Sequence, residues 1–180
     1  MKRICVFAGS SKGVRPEYRE AARVLGHALC KRGIGVVYGA GGIGLMGVLA
    51  DAVLESGGEI IGVIPDKLMD MEVAHEGITE LRVVRTMHER KALMAELADG
   101  FITLPGGLGT LEETMEMITW LQLGYHEKPV GLLNVRGYYD PLLGFLRHTR
   151  EEGFITQKSL NLFSVDDAPE GLVQRMLTPR

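Results

Sequence analysis

At 180 residues, with 46% apolar and only 24% charged residues, the chain has the size and composition of one compact domain with a full hydrophobic core. Lys and Arg number 20 against 23 Asp and Glu, a formal net charge of -3, which excludes a global positive field for nucleic acid or an anionic membrane, so any bound anion must be gripped locally. The apolar start Ile4-Cys5-Val6-Phe7-Ala8 stops at Gly9-Ser10-Ser11, too early for a signal peptide, and no other run approaches the ~20 residues of a membrane span, so a cytoplasmic protein is expected.

Short apolar or β-branched runs alternate with longer amphipathic stretches, the pattern of βαβ units. Strands are predicted near Ile4-Ala8, Gly35-Tyr38, Ile60-Ile64, Leu81-Val84, Phe101-Leu104 and Val130-Leu133. Helices are predicted near Pro16-Lys31, Leu45-Glu55, Glu89-Leu97, Leu111-Leu123, Pro141-Glu151 and Pro169-Met176. The expected fold is α/β, a Rossmann-like doubly wound parallel sheet with helices on both faces, with residues 1–180 forming a single domain. Pro65 to Thr79 lacks clear periodicity, and a loop of that length is usually functional or partly helical.

Glycine-rich turns follow three of the predicted strands. Gly9-Ser10-Ser11 ends the first. Gly39-Ala40-Gly41-Gly42-Ile43-Gly44 ends the second and formally satisfies the dinucleotide fingerprint, but the acidic residue expected about 20 positions on has only Asp66 as a late candidate. Leu104-Pro105-Gly106-Gly107-Leu108-Gly109-Thr110 ends the fifth and opens a helix. Its glycines let the backbone approach a ligand, while free amides and the positive helix end attract a phosphate. A glycine-rich turn with Thr110 as a plain N-cap is the lesser alternative, and Thr110-x-x-Glu113 also reads as a capping box. Glu112 and Glu113 point about 100° apart on a helix, so they cannot both serve one bound atom.

Met87-His88-Glu89-Arg90-Lys91 begins the helix that leads into strand Phe101-Leu104. That helix runs antiparallel to the strand, so its start lies beside the glycine turn, with Arg90 and Lys91 over the phosphate cradle. An Arg-Lys pair is otherwise a solvated helix face. His27, His75, His88, His126 and His148 form no HxxxH or HExxH spacing, Cys5 and Cys30 form no CxxC pair, and no Gly-x-Ser-x-Gly elbow is present, so neither a metal nor a bound cofactor is expected. Met87, Met94, Met115, Met117 and Trp120 read as core or helix-helix contact.

With Pro105-Gly106-Gly107-Leu108-Gly109-Thr110-Leu111-Glu112-Glu113 and Met87-His88-Glu89-Arg90-Lys91 in this order, the chain resembles the Lonely Guy family of nucleoside 5'-monophosphate phosphoribohydrolases, often labelled lysine decarboxylases. The likeness runs from Gly9-Ser10-Ser11 to Ile118-Thr119-Trp120-Leu121-Gln122-Leu123-Gly124. It implies a homodimeric N-glycosyl hydrolase acting on cytokinin riboside monophosphate and AMP, with Arg90 and Glu113 catalytic. It also implies substrate contacts at Glu72, Lys91, Thr119 and the Gly107 to Thr110 cradle, including Leu108 and Gly109. The rest of the motif, Gly106, Leu111 and Glu112, and the neighbouring turns at Ser10, Gly41 and Gly42 complete the expected binding set. The competing expectation is a non-catalytic nucleotide or molybdenum-cofactor-type binding protein, which needs the cradle but not arginine and glutamate together.

Overall fold

The computed structural model describes residues 1–69 and 74–178, in which strands and helices alternate along the chain. In order they are β1 (Arg3–Phe7), α1 (Pro16–Cys30), β2 (Gly35–Tyr38), α2 (Gly44–Glu55), β3 (Ile60–Pro65), β4 (Glu80–Val84), α3 (Met87–Leu97) and β5 (Phe101–Thr103). Then follow α4 (Leu108–Leu123), β6 (Val130–Leu133), α5 (Asp140–Glu151), α6 (Gln157–Leu160), β7 (Phe163–Asp166) and α7 (Pro169–Leu177). All strand pairs are parallel, in the order β4-β3-β2-β1-β5-β6-β7. The doubly wound sheet is therefore present as expected. Its order reverses between β1 and β5, and such a switch point opens a crevice at the carboxyl ends of the strands.

Alternation along the strands sets two layers, because successive side chains point to opposite faces. Ile4, Val6, Val36 and Tyr38 join a core with α1, α2 and α7, while Cys5, Phe7 and Val37 join a second core with α3 and α4. Strands buried on both sides need apolar residues at every position, which is why they read as short continuous runs. Gly26 lets α1 and α2 close on each other, since a Cβ there would stand 2.9 Å from that of Ala52. No helix among the described residues is long and apolar enough to cross a membrane.

Four elements differ from the sequence expectation, one of them the short helix α6, which was not predicted. Phe-Ser-Val-Asp at 163–166 forms the edge strand β7, half-buried throughout and too polar to register as an apolar run. Helix α3 starts at Met87 because Thr86 caps it, its side chain accepting from the Glu89 amide at 3.1 Å. Helix α4 starts at Leu108 rather than Leu111, with Gly107 as N-cap. Thr110 is then the third helical residue and not the cap, so the alternative reading of Thr110 and Glu113 as a capping box does not hold. The Pro65 to Thr79 stretch holds a 3-10 turn at Asp66–Leu68 and an antiparallel bridge from Ala74 to Gly41.

Candidate active site

A cavity of about 250 Å³ opens at the switch point. Its floor is the end of β1 from Val6 to Ser10; Gly39, Met46 and Leu68 form one wall, Met87, Arg90 and Met94 of α3 another, and Gly107 to Thr110 with Glu112 and Glu113 of α4 a third. Five of the expected site residues on α4, Leu108, Gly109, Thr110, Glu112 and Glu113, together with its N-cap Gly107, Arg90 and Ser10, therefore share one space. Met46, Met87 and Met94 contribute to its apolar lining; Met94 and Met117 are core as read from the sequence, Trp120 packs against that core half-buried, and Met87 is exposed rather than core.

The α4 turn is built to leave amides open. No side chain caps Gly107, and the first regular helical bond is from the Leu111 amide to the Gly107 carbonyl at 3.0 Å. The amides of Leu108, Gly109 and Thr110 thus precede the regular ladder, at the positive end of a 16-residue helix. Gly106 must lack a side chain because a Cβ there would collide with the Thr110 hydroxyl. Below, buried Thr114 donates to the Thr110 carbonyl at 2.6 Å and meets the Thr103 hydroxyl at 2.8 Å, tying the turn to β5. The second glycine turn is different: the amides of Leu45 and Met46 at the start of α2 donate to the Gly9 carbonyl at 2.9 and 3.4 Å. Of the two glycine turns that open helices, that of α4 is the one suited to an anion.

Arg90 is only 4% exposed, and backbone carbonyls fix its guanidinium: Nε donates to Val63 at 3.1 Å and Nη2 to Gly39 at 2.9 Å. A side chain at Gly39 would run into it. The Gly39 carbonyl is aimed by the next residue, Ala40, which is fully buried with φ 65°, a left-handed conformation that costs a non-glycine residue roughly 1–2 kcal/mol. Ala40 packs closely over Gly62, where a Cβ would approach its own to 2.7 Å. Ala40→Val adds branching where neither the backbone nor Gly62 leaves room. It is expected to lower stability by about 1–3 kcal/mol, roughly 3–10 °C in Tm, as thermal unfolding will show.

Lys91 turns away from the cavity. Its Nζ donates to Glu112 at 2.5 Å and Glu116 at 3.2 Å, clasping α3 to α4. Burial acts to lower the pKa of this ammonium, but the two carboxylates prevail and raise it. Adjacent residues on α3 thus divide between cavity and helix seam, as their 100° separation requires. Thr119 lies exposed on α4, its hydroxyl bonded to the Met115 carbonyl at 2.7 Å, and Gly41, Gly42, Gly106 and Leu111 also stand outside the cavity lining. Glu72 falls outside the described residues. The residues that sequence reasoning missed are Gly39, Met46 and Leu68; Gly39 was visible as the first glycine of the second turn. Cys5 lies beneath the site, where burial, reinforced by Glu113 and partly offset by Arg90, pushes its thiol well above the ordinary range, so it is no nucleophile.

Comparison with known proteins agrees with this architecture. A family model described as "possible lysine decarboxylase" matches residues 46–176. The cytokinin riboside 5'-monophosphate phosphoribohydrolase LOG of Oryza sativa is 57% identical over 156 residues, 87% of this chain and 64% of the rice protein, so the chain spans somewhat less than two thirds of that relative. A phosphoribohydrolase of the same name from Arabidopsis thaliana is 51% identical over 175 residues, 97% of this chain and 82% of its own length. Among solved structures, a molybdenum cofactor binding protein from Rippkaea orientalis shares the fold with a TM-score of 0.73 at 23% identity, covering 99% of both chains. The chain belongs to the family described as possible lysine decarboxylases, the Lonely Guy family that includes the plant cytokinin riboside 5'-monophosphate phosphoribohydrolases.

Proposed function

We infer that the chain is an N-glycosyl hydrolase that cuts the N-glycosidic bond of nucleoside 5'-monophosphates, cytokinin riboside monophosphate and AMP among them, to free base and ribose 5-phosphate. The observation that carries this reading is one cavity lined both by the open first turn of α4 and by Glu113. Thr110 and Glu113 are three residues apart on α4, about 4.5 Å along its axis and on one face. A phosphate held at the first turn thus places its sugar by the carboxylate.

Hydrolysis breaks the bond from C1' to nitrogen and forms one from C1' to water, with a water proton passing to the departing base. Positive charge develops on C1' and the ring oxygen, where a fixed carboxylate stabilises it. Glu113 takes that role. Arg90, held rigid by two carbonyls, orients the ribose or phosphate, and binding of the phosphate supplies the positioning. Glu112 is engaged by Lys91 and serves to align α4.

The family description also raises pyridoxal phosphate chemistry, and the residues do not fit it. A Schiff-base lysine needs a free amine facing the pocket, yet no lysine lines this cavity among the described residues, and Lys91 is a doubly paired ammonium. We further infer a cytoplasmic homodimer. Helix α5 buries no residue fully, and Leu123, Tyr125, Phe145 and Phe154 on or beside α4 and α5 are exposed, a surface a second copy would cover.

Incubating purified protein with a panel of nucleoside monophosphates and the matching nucleosides tests the reading. Free base and ribose 5-phosphate are expected from the monophosphates, and no base from adenosine. A carrier protein would bind its ligand and release nothing, and that result would overturn the hydrolase.

A further inference from the structure

The carbonyls of Leu104, Pro105 and Gly106 lead directly into the α4 cradle, and each is held from outside. The buried Tyr139 hydroxyl donates to Leu104 at 2.7 Å, the Gly9 amide to Pro105 at 3.1 Å, and the Tyr138 hydroxyl to Gly106 at 2.6 Å. The first two belong to the folded core. Tyr138 is different, being 39% exposed and contributing to neither buried core cluster. Its ring is nonetheless fixed edge-on between Tyr18 and Tyr139, with centroids 5.5 and 4.8 Å away.

A peptide group is planar and trans, so its carbonyl and its N-H point in opposite directions. The Gly106 carbonyl and the Gly107 N-H share one such plane. Fixing the carbonyl on Tyr138 directs the Gly107 amide away from that ring, and Gly107 lines the cavity. Accepting a hydrogen bond also polarises the peptide and makes its N-H a better donor. Gly107 most needs such a guide, since a Cβ there would meet nothing within 4 Å and no neighbour restrains the turn sterically.

We propose that Tyr138 is a positioning residue for phosphate: its hydroxyl, bonded to the Gly106 carbonyl, sets the direction of the Gly107 amide and thereby the strength with which the cavity grips a 5'-phosphate. The proposal rests on the nucleotide reading of the cavity, so its test includes a binding measurement that does not depend on turnover. Tyr138→Phe removes the hydroxyl and keeps the ring contacts. The dissociation constant of ribose 5-phosphate, measured by calorimetry, is expected to rise about five- to tenfold, as loss of one net hydrogen bond predicts. KM for AMP should rise by the same factor, with kcat within about twofold.

A purely structural role would lower Tm and leave both constants unmoved, and that outcome overturns the proposal. If the parent protein binds ribose 5-phosphate but releases no base from AMP, the hydrolase reading fails while the shift in dissociation constant still decides the role of Tyr138. A parent protein that binds no ribose 5-phosphate overturns both. Tyr138→Leu, which loses ring and hydroxyl together, should weaken binding at least as much as Tyr138→Phe; tighter binding than in Tyr138→Phe also counts against the proposal.

Discussion

Glu113→Gln is expected to leave the fold and ribose 5-phosphate binding intact while slowing adenine release from AMP by about 10²–10³-fold, the effect of removing one preorganised electrostatic group from a transition state. The amide has the shape of the carboxylate and lacks its charge, so what is lost is the attraction to positive charge that appears on the sugar only as the bond breaks. The loss should therefore fall on kcat and spare KM. Glu113→Asp retains the charge but withdraws it by one methylene, and an intermediate rate is expected. Steady-state assays with base detection check the series, with thermal unfolding as the control for folding. A Gln variant that keeps the parent rate would remove Glu113 from the reaction.

Arg90→Ala should be the more damaging change for the molecule as a whole. The side chain is buried, and its removal leaves the Val63 and Gly39 carbonyls without their donors, at about 1–3 kcal/mol for each buried group left unsatisfied. A fall in Tm of roughly 4–24 °C is expected on the scale of 2–4 °C per kcal/mol for a domain of this size, together with loss of base release. Guanidinium at millimolar concentration, far below denaturing levels, should restore part of the activity by occupying the vacated fork. Arg90→Lys keeps a positive charge but cannot span two carbonyls with a planar group, so it should fold better than Arg90→Ala and stay nearly inactive. If Arg90→Lys turns over AMP at the parent rate, the fork geometry has no part in the reaction.

The sheet was legible because parallel strands covered on both faces advertise themselves as apolar runs. The carboxyl-edge location of the site followed from topology, which brings the start of α3 beside the turn before α4 whatever the side chains do. Facing was harder. Arg90 and Lys91 are neighbours, and nothing in their order reveals that one enters the cavity while the other clasps Glu112 and Glu116. Likewise Met46 and Met94 satisfy the pattern of core positions because they are buried, and only the tertiary structure shows that the same atoms line a cavity. The start of α4 was placed late because glycines suggest a loop, although the first helical turn tolerates them. Strand β7 was overlooked because an edge position admits Ser164 and Asp166. Tyr138 gave no signal at all, since its contact partner is a main-chain oxygen 32 residues away.

Two glycine turns lie along the same sheet edge, but the one before α2 has its Leu45 and Met46 amides occupied by the Gly9 carbonyl. Of these two turns, only the one before α4 therefore offers a berth for negative charge. Redesigning this protein to carry NAD would first require the β1 turn to release the helix it now stoppers. That obstacle lies in the backbone itself, so exchanging side chains around the cavity would not remove it.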